Sequence, residues 1–190
     1  MTLTKATLAI CAVAAGLALP SWAQKVRLST SMGDIVLQLD AEKAPKTVTN
    51  FVQYVQAGHY AGTVFHRVID GFMIQGGGIG ADMQEKPTRA PIPLESKSGL
   101  SNMRGTVAMA RTMTPDSATA QFFINVGDNL RLDAANSADG NGYAVFGKVI
   151  EGMDVVDRIK AVPVGNKAMH QNVPVQAILI KQATLLKETQ

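Results

Sequence analysis

Apolar and polar positions alternate with period two through much of this chain, and a helical period takes over in two places. Val26 to Thr30 and Ile35 to Leu39 flank Ser31-Met32-Gly33-Asp34, which predicts an opening hairpin. Pro45 suits a first helical turn, and Val48, Phe51, Val52 and Val55 recur at the helical period until Gly58 stops it. Two strands follow around the Asp70-Gly71 turn signal. From Gly76 to Pro93 the chain is rich in glycine and proline and has no steady period, so a long, shaped loop is predicted. Strands are then predicted over Gly105 to Ala110, Gln121 to Val126 and Tyr143 to Val149, with a polar, turn-rich stretch from Asp128 to Gly142. Met153 to Ile159 predicts a short helix, and Val175 to about Leu185 a final strand. Many short strands with two helices indicate an all-β sandwich or a closed barrel. A helix just before the last strand suits the capping of two open ends and favours the barrel.

The least ordinary stretch is Phe65-His66-Arg67-Val68-Ile69-Asp70-Gly71-Phe72-Met73-Ile74-Gln75-Gly76-Gly77. Residues two apart in a strand share a face, so Phe65, Arg67 and Ile69 are expected on one side and His66 and Val68 on the other. In the second segment Phe72 and Ile74 share one face, Met73 and Gln75 the other. The alternative is an edge strand whose Arg67 reaches solvent over apolar neighbours. Ala120-Gln121-Phe122-Phe123-Ile124-Asn125-Val126 again sets an amide beside a phenylalanine, with Gln121 and Phe123 on one face and Phe122 in the core. Arg, Gln, Phe and Met supplied by adjacent strands would make an apolar pocket bordered by donors and acceptors. Such a pocket suits a ring-shaped side chain held by its peptide backbone.

Composition narrows the setting. Residues 1–23 carry Lys5 as their one charge, an apolar run from Ala6 to Leu19, then Pro20 and Ser21-Trp22-Ala23, which reads as an export signal cleaved before Gln24. The run is too short for a comfortable membrane span, so no stable membrane insertion is expected after cleavage. The remaining 24–190 form one domain with 17 basic and 15 acidic side chains, net +2. That mild excess, with no basic run, argues against nucleic acid. The only cysteine, Cys11, lies in the leader, so disulfides, thiol nucleophiles and thiolate metal sites are excluded from the mature chain. Gly76 to Ala81 formally satisfies a dinucleotide-binding spacing, but no periodic helix follows it. His59, His66 and His170 lack metal-ligand spacing, and no nucleophile-elbow pattern is present. No cofactor and no metal are expected.

Taken together, Phe65-His66-Arg67-Val68-Ile69, Phe72-Met73-Ile74-Gln75-Gly76-Gly77, Ala108-Met109-Ala110, Gln121-Phe122-Phe123-Ile124 and Val145-Phe146-Gly147-Lys148-Val149 resemble the cyclophilin family of peptidyl-prolyl isomerases. The blocks occur in family order over roughly Lys25 to Leu186 and look closest to the exported bacterial branch. The resemblance implies a closed eight-stranded antiparallel β-barrel capped by two α-helices. It implies an enzyme that speeds rotation about X-Pro bonds, acting on unfolded or flexible proline-containing polypeptides, in the periplasm and as a monomer. By position, Arg67 becomes the catalytic arginine, with Phe72, Gln75 and Gln121 beside it. Phe72, Met73, Phe123 and Leu132 become the proline pocket; Gln75, Ala110, Arg111 and Gln121 hold the peptide backbone; His66 and Tyr143 line the groove. Arg131 stands where the best-known eukaryotic members carry a tryptophan that helps bind cyclosporin, which implies weak inhibition. A non-catalytic proline-peptide module or holdase chaperone using the same groove is the rival reading.

Overall fold

The computed structural model describes residues 24–167 and 169–187; the export signal expected over 1–23 lies outside the described residues. β1 (Lys25–Thr30) and β2 (Gly33–Leu39) form the opening hairpin. α1 (Pro45–Gln56) buries Val48, Phe51, Val52 and Val55, the stripe predicted by the helical period. Its N-cap residue, Ala44, has no side chain able to satisfy the free amides of the first turn. The Glu95 carboxylate does so instead, accepting from Lys46 N at 3.1 Å and Thr47 N at 2.8 Å. A negative charge there also complements the helix dipole. Gly58, at φ 68°, ends the helix in the left-handed conformation that glycine adopts without penalty.

β3 (Thr63–Ile69), β4 (Met73–Gly80), β5 (Thr106–Met109), β6 (Phe122–Asn125) and β7 (Val145–Glu151) follow. α2 (Met153–Lys160), the hairpin of β8 (Val164–Lys167) and β9 (His170–Pro174), and β10 (Leu179–Leu186) complete the chain. Eight strands close into an antiparallel barrel in the order β1-β10-β3-β4-β6-β5-β7-β2, while β8 pairs only with β9. This is the predicted architecture, and the choice between sandwich and barrel falls to the barrel.

The barrel interior is filled with side chains, as eight strands allow. Phe51 of α1 meets Phe122 and Phe146 at ring-centroid distances of 5.6 and 5.0 Å, and Tyr60 meets Phe122 at 5.5 Å. Tyr60 is fully buried, and its hydroxyl donates to the Ala120 carbonyl at 3.0 Å. The apolar faces of both helices join this core.

Three local expectations are corrected. The loop predicted over Gly76 to Pro93 starts only after Gly80, because its glycines extend β4. They are there for closeness: a Cβ on Gly77, at φ +87°, would lie 2.8 Å from the Phe122 ring. The β8–β9 hairpin was not predicted, since β8 is exposed at every position and carries no burial rhythm. The last strand begins at Leu179 rather than Val175, which is 75% exposed.

Candidate functional site

A β-bulge decides which side of the barrel wall Arg67 faces. Phe65 pairs with Gly76 and Arg67 with Gln75, so two steps along β3 match one along β4 and His66 is the extra residue. Phe65 and Val68 therefore both enter the core, while Ile69 packs on the outer face. The expected grouping of Phe65 with Arg67 and Ile69 fails at this bulge. Arg67 keeps Ile69 as its neighbour and loses Phe65. In β4, Met73 and Gln75 face outward as predicted, but Ile74 is core and Phe72 lies in the preceding turn, where strand alternation does not bind it.

The outer wall then carries a row of Cα partners, Arg67, Gln75, Phe123 and Ala108, on β3, β4, β6 and β5. At about 4.8 Å per strand, the backbones of Arg67 and Phe123 stand on the order of 10 Å apart. Met73, Ala108, Phe123 and Val145 form a buried cluster outside the barrel, with Ile69, Phe72, Leu100, Ala110, Leu132 and Tyr143 partly buried around it. The Phe123 and Tyr143 rings meet edge to face at 5.6 Å. The Arg131 guanidinium lies 4.6 Å from the Phe72 ring centroid, a cation–π contact that covers the rim.

Polar groups border the cluster on one side. Arg67 Nη1 donates to Gln75 Oε1 at 3.4 Å, and Gln75 Nε2 donates to Gln121 Oε1 at 2.9 Å. Among the described residues Arg67 makes no ion pair. Its charge is therefore directed at the groove rather than at a carboxylate. His66, on the bulge, is 4% exposed and faces His170 at 6.1 Å between ring centroids. Burial, helped by His170, pushes its pKa down to about 4, so it adds no charge beside Arg67 near neutral pH. The side chain of Arg111 lies over the Tyr143 ring, 4.8 Å from its centroid, donating to the carbonyls of Gly142 at 2.8 Å and Thr112 at 2.9 Å and pairing with Asp139. Ala110 N–H donates to the Gln121 carbonyl at 2.9 Å. No cluster of three or more His, Cys, Asp or Glu side chains able to hold a metal ion occurs among the described residues.

Sequence reasoning missed what holds the pocket walls in place. Asn129 Nδ2 donates to the Phe72 carbonyl at 2.7 Å and to Asn125 Oδ1 at 2.8 Å. Asn102 donates to Asp133 through its backbone N–H at 2.8 Å and through Nδ2 at 2.9 Å; Nδ2 also reaches the Tyr143 carbonyl at 3.4 Å. Burial works to raise the Asp133 pKa, but hydrogen bonds from Ser101 and Asn102 outweigh it and hold the carboxyl below its ordinary value. Phe72 comes from the β3–β4 turn and Leu132 and Tyr143 from the β6–β7 connection, and this network ties the two together. The alternation that put Phe123 outward also put Asn125 outward, which was the available signal.

A profile described as "Cyclophilin type peptidyl-prolyl cis-trans isomerase/CLD" matches residues 25–185. A peptidyl-prolyl cis-trans isomerase of Streptomyces antibioticus is 59% identical over 162 residues, covering 85% of this chain and 98% of its own. Peptidyl-prolyl cis-trans isomerase B of Escherichia coli is 53% identical over 161 residues, covering 84% and 98%. Among solved structures, a Cryptosporidium parvum cyclophilin type peptidyl-prolyl cis-trans isomerase superposes with a TM-score of 0.73 at 27% identity, covering 88% of this chain and 100% of that one.

Proposed function

Since the chain belongs to the cyclophilin-type peptidyl-prolyl cis-trans isomerase family and is itself an isomerase of that kind, we propose that the groove between Arg67 and the Phe123 cluster is where it turns X-Pro bonds. The carrying observation is a guanidinium with no ion pair among the described residues, set beside an apolar pocket on the same outer wall. Rotation about the bond must break amide resonance, at a barrier of roughly 18 to 20 kcal/mol, and uncatalysed exchange takes tens to hundreds of seconds. No bond is made or cleaved, so catalysis consists of favouring the twisted amide over both planar isomers. In the twisted state the prolyl nitrogen regains a lone pair. Arg67 donates to it, and because an arginine side chain stays protonated, no proton transfer is needed.

Phe72, Met73, Phe123 and Leu132 grip the ring, with Tyr143 along the edge of the pocket. Gln75, Gln121 and the backbone at Ala110 and Arg111 hold the flanking peptide groups, and His66 stands behind Arg67. Lowering the barrier by about 5 to 7 kcal/mol accelerates exchange on the order of ten-thousand-fold or more, a size that preorganised electrostatics supplies. The test is exchange NMR of an Ala-Pro-Phe peptide with residues 24–190 and with Arg67→Ala. Acceleration that is lost in a folded variant supports the assignment. Unchanged acceleration removes Arg67 from the mechanism, and binding without acceleration in both proteins favours the holdase or module reading.

The leader pattern over 1–23 supports export of the mature chain, beginning at Gln24, to the periplasm, where it works as a monomer on unfolded exported polypeptides. Mass spectrometry of the processed protein in a fractionated bacterial host tests the cleavage and the compartment. Size-exclusion chromatography tests the monomer. No helix among the described residues is long and apolar enough to cross a membrane.

A further inference from the structure

We propose that a second, polar cavity on the Arg67 side of the groove is a subsite for an uncharged hydrogen-bonding side chain, the size of glutamine or asparagine, carried by a residue flanking the substrate proline. This rests on the groove being the catalytic site. The cavity, about 310 Å³, is lined by Arg67, Gln75 and Gln121 and so opens directly off the catalytic arm. Its other walls are His66, the exposed Glu85 and the β9 residues His170, Gln171 and Asn172, with Ile79 and Met169 as the apolar part of the lining. The β8–β9 hairpin takes no part in closing the barrel. In this position it turns an open edge of the groove into a bounded space. That volume is at the lower end for ligand pockets, which suits one side chain rather than a second peptide segment.

The lining chemistry selects the occupant. Arg67 brings donors that its one long hydrogen bond to Gln75 leaves free, Glu85 brings acceptors, and the amides of Gln171 and Asn172 offer both. Arg67 and Glu85 face the same cavity with no ion pair between them among the described residues, and His66 is held neutral by its burial. His66 borders the cavity, and its Nδ1 is buried without a hydrogen-bond partner among the described residues. A carboxylate entering the cavity would meet Glu85, and an ammonium would meet Arg67. An alkyl chain would strip water from the amides without replacing their hydrogen bonds. A primary amide gives its oxygen to the guanidinium and its N–H groups to the carboxylate.

The experiment measures kcat/KM by exchange NMR on proline peptides in which alanine, glutamine, glutamate or lysine occupies each of the two positions on either side of the proline. At one flanking position glutamine should exceed alanine about three- to tenfold, the worth of one to two hydrogen bonds, with no such gain for glutamate or lysine. The gain should vanish in the double variant His170→Ala, Gln171→Ala. In Glu85→Gln, which leaves the hairpin untouched, the glutamate peptide should rise to match the glutamine one. Loss of the preference in the hairpin variant, or its broadening to glutamate in Glu85→Gln, supports the subsite. Equal rates for all peptides with the wild type, or an unaltered preference in both variants, overturn it. If the wild type fails to accelerate even the all-alanine peptide, the catalytic reading of the groove falls instead.

Discussion

Replacing His66 by glutamine should flatten the loss of stability that the protein suffers as pH falls from 6.5 to 4.5. In the folded chain the imidazole is 4% exposed and its Nδ1 has no partner among the described residues. Burial first, and the neighbouring His170 next, lower its pKa from 6.5 to about 4. Between those values the unfolded chain takes up a proton that the folded chain refuses, so stability rises with pH across this window and declines as pH falls through it. At pH 4.5 the lost stability is about 2 to 3 kcal/mol, since each pKa unit is worth about 1.4 kcal/mol. Most of the competing carboxylate effect comes later. Asp133, Asp139, Asp154 and Asp157 are held below their ordinary value in the fold, and such groups release their stabilisation mainly below about pH 4. His59 is also lowered, by burial above all, but it titrates alike in both proteins and cancels. Urea unfolding at pH 7, 6, 5 and 4.5 is the assay. With a slope of about 2 kcal/mol per molar, the wild-type midpoint should drop about 1 M more than that of His66→Gln. Parallel pH dependences in the two proteins would sink the argument, because His66 would then titrate as it does in the unfolded chain.

Asn129→Ala, which removes the donor to the Phe72 carbonyl and to Asn125, should cost about 1 to 3 kcal/mol of stability and raise KM more than it lowers kcat; equal peptide affinity in calorimetry would exclude a positioning role. Glu95→Ala leaves the first turn of α1 without its acceptor, and thermal melting should report a loss of about 1 to 2 kcal/mol, whereas an unchanged melting temperature would mean that water replaces the carboxylate at no cost. Arg131 shields the Phe72 ring with a cation, so cyclosporin should bind weakly and Arg131→Trp should tighten it at least tenfold; nanomolar binding by the wild type would contradict this.

The barrel strands, both helices and the all-β class could be read from the chain because their burial is periodic: β1 buries Val26 and Leu28 at alternate positions, and α1 buries Val48, Phe51, Val52 and Val55. What escaped was structure set by distant partners. The extra residue at His66 exists only relative to β4, so alternation within one strand could not reveal it. The glycines of β4 looked like loop because their purpose, room for Phe122 and Gln121, lies on another strand. The helix cap is supplied by Glu95, some 48 residues from the amides it serves. Within the site, Gln75, Met73 and Phe123 followed from local pattern. Leu132 and Tyr143 were reached only through the family resemblance, since the one sits in a single 3-10 turn and the other in irregular chain, neither with a period of its own.

The barrel wall divides its residues between two kinds of constraint. Ile74 is core and its neighbours Met73 and Gln75 are groove; Phe122 is core and Phe123 is groove. Exchanges at the partly exposed positions Ile69, Phe72, Leu100 and Leu132 therefore leave the aromatic interior untouched. New sequence preferences can be explored there by random variation while the chain still folds, so a library restricted to those four positions should yield mostly soluble, barrel-forming proteins. The same library directed at Phe65, Ile74, Phe122 and Phe146 should yield mostly aggregates. One strand thus carries two separate mutational landscapes, offset by a single residue.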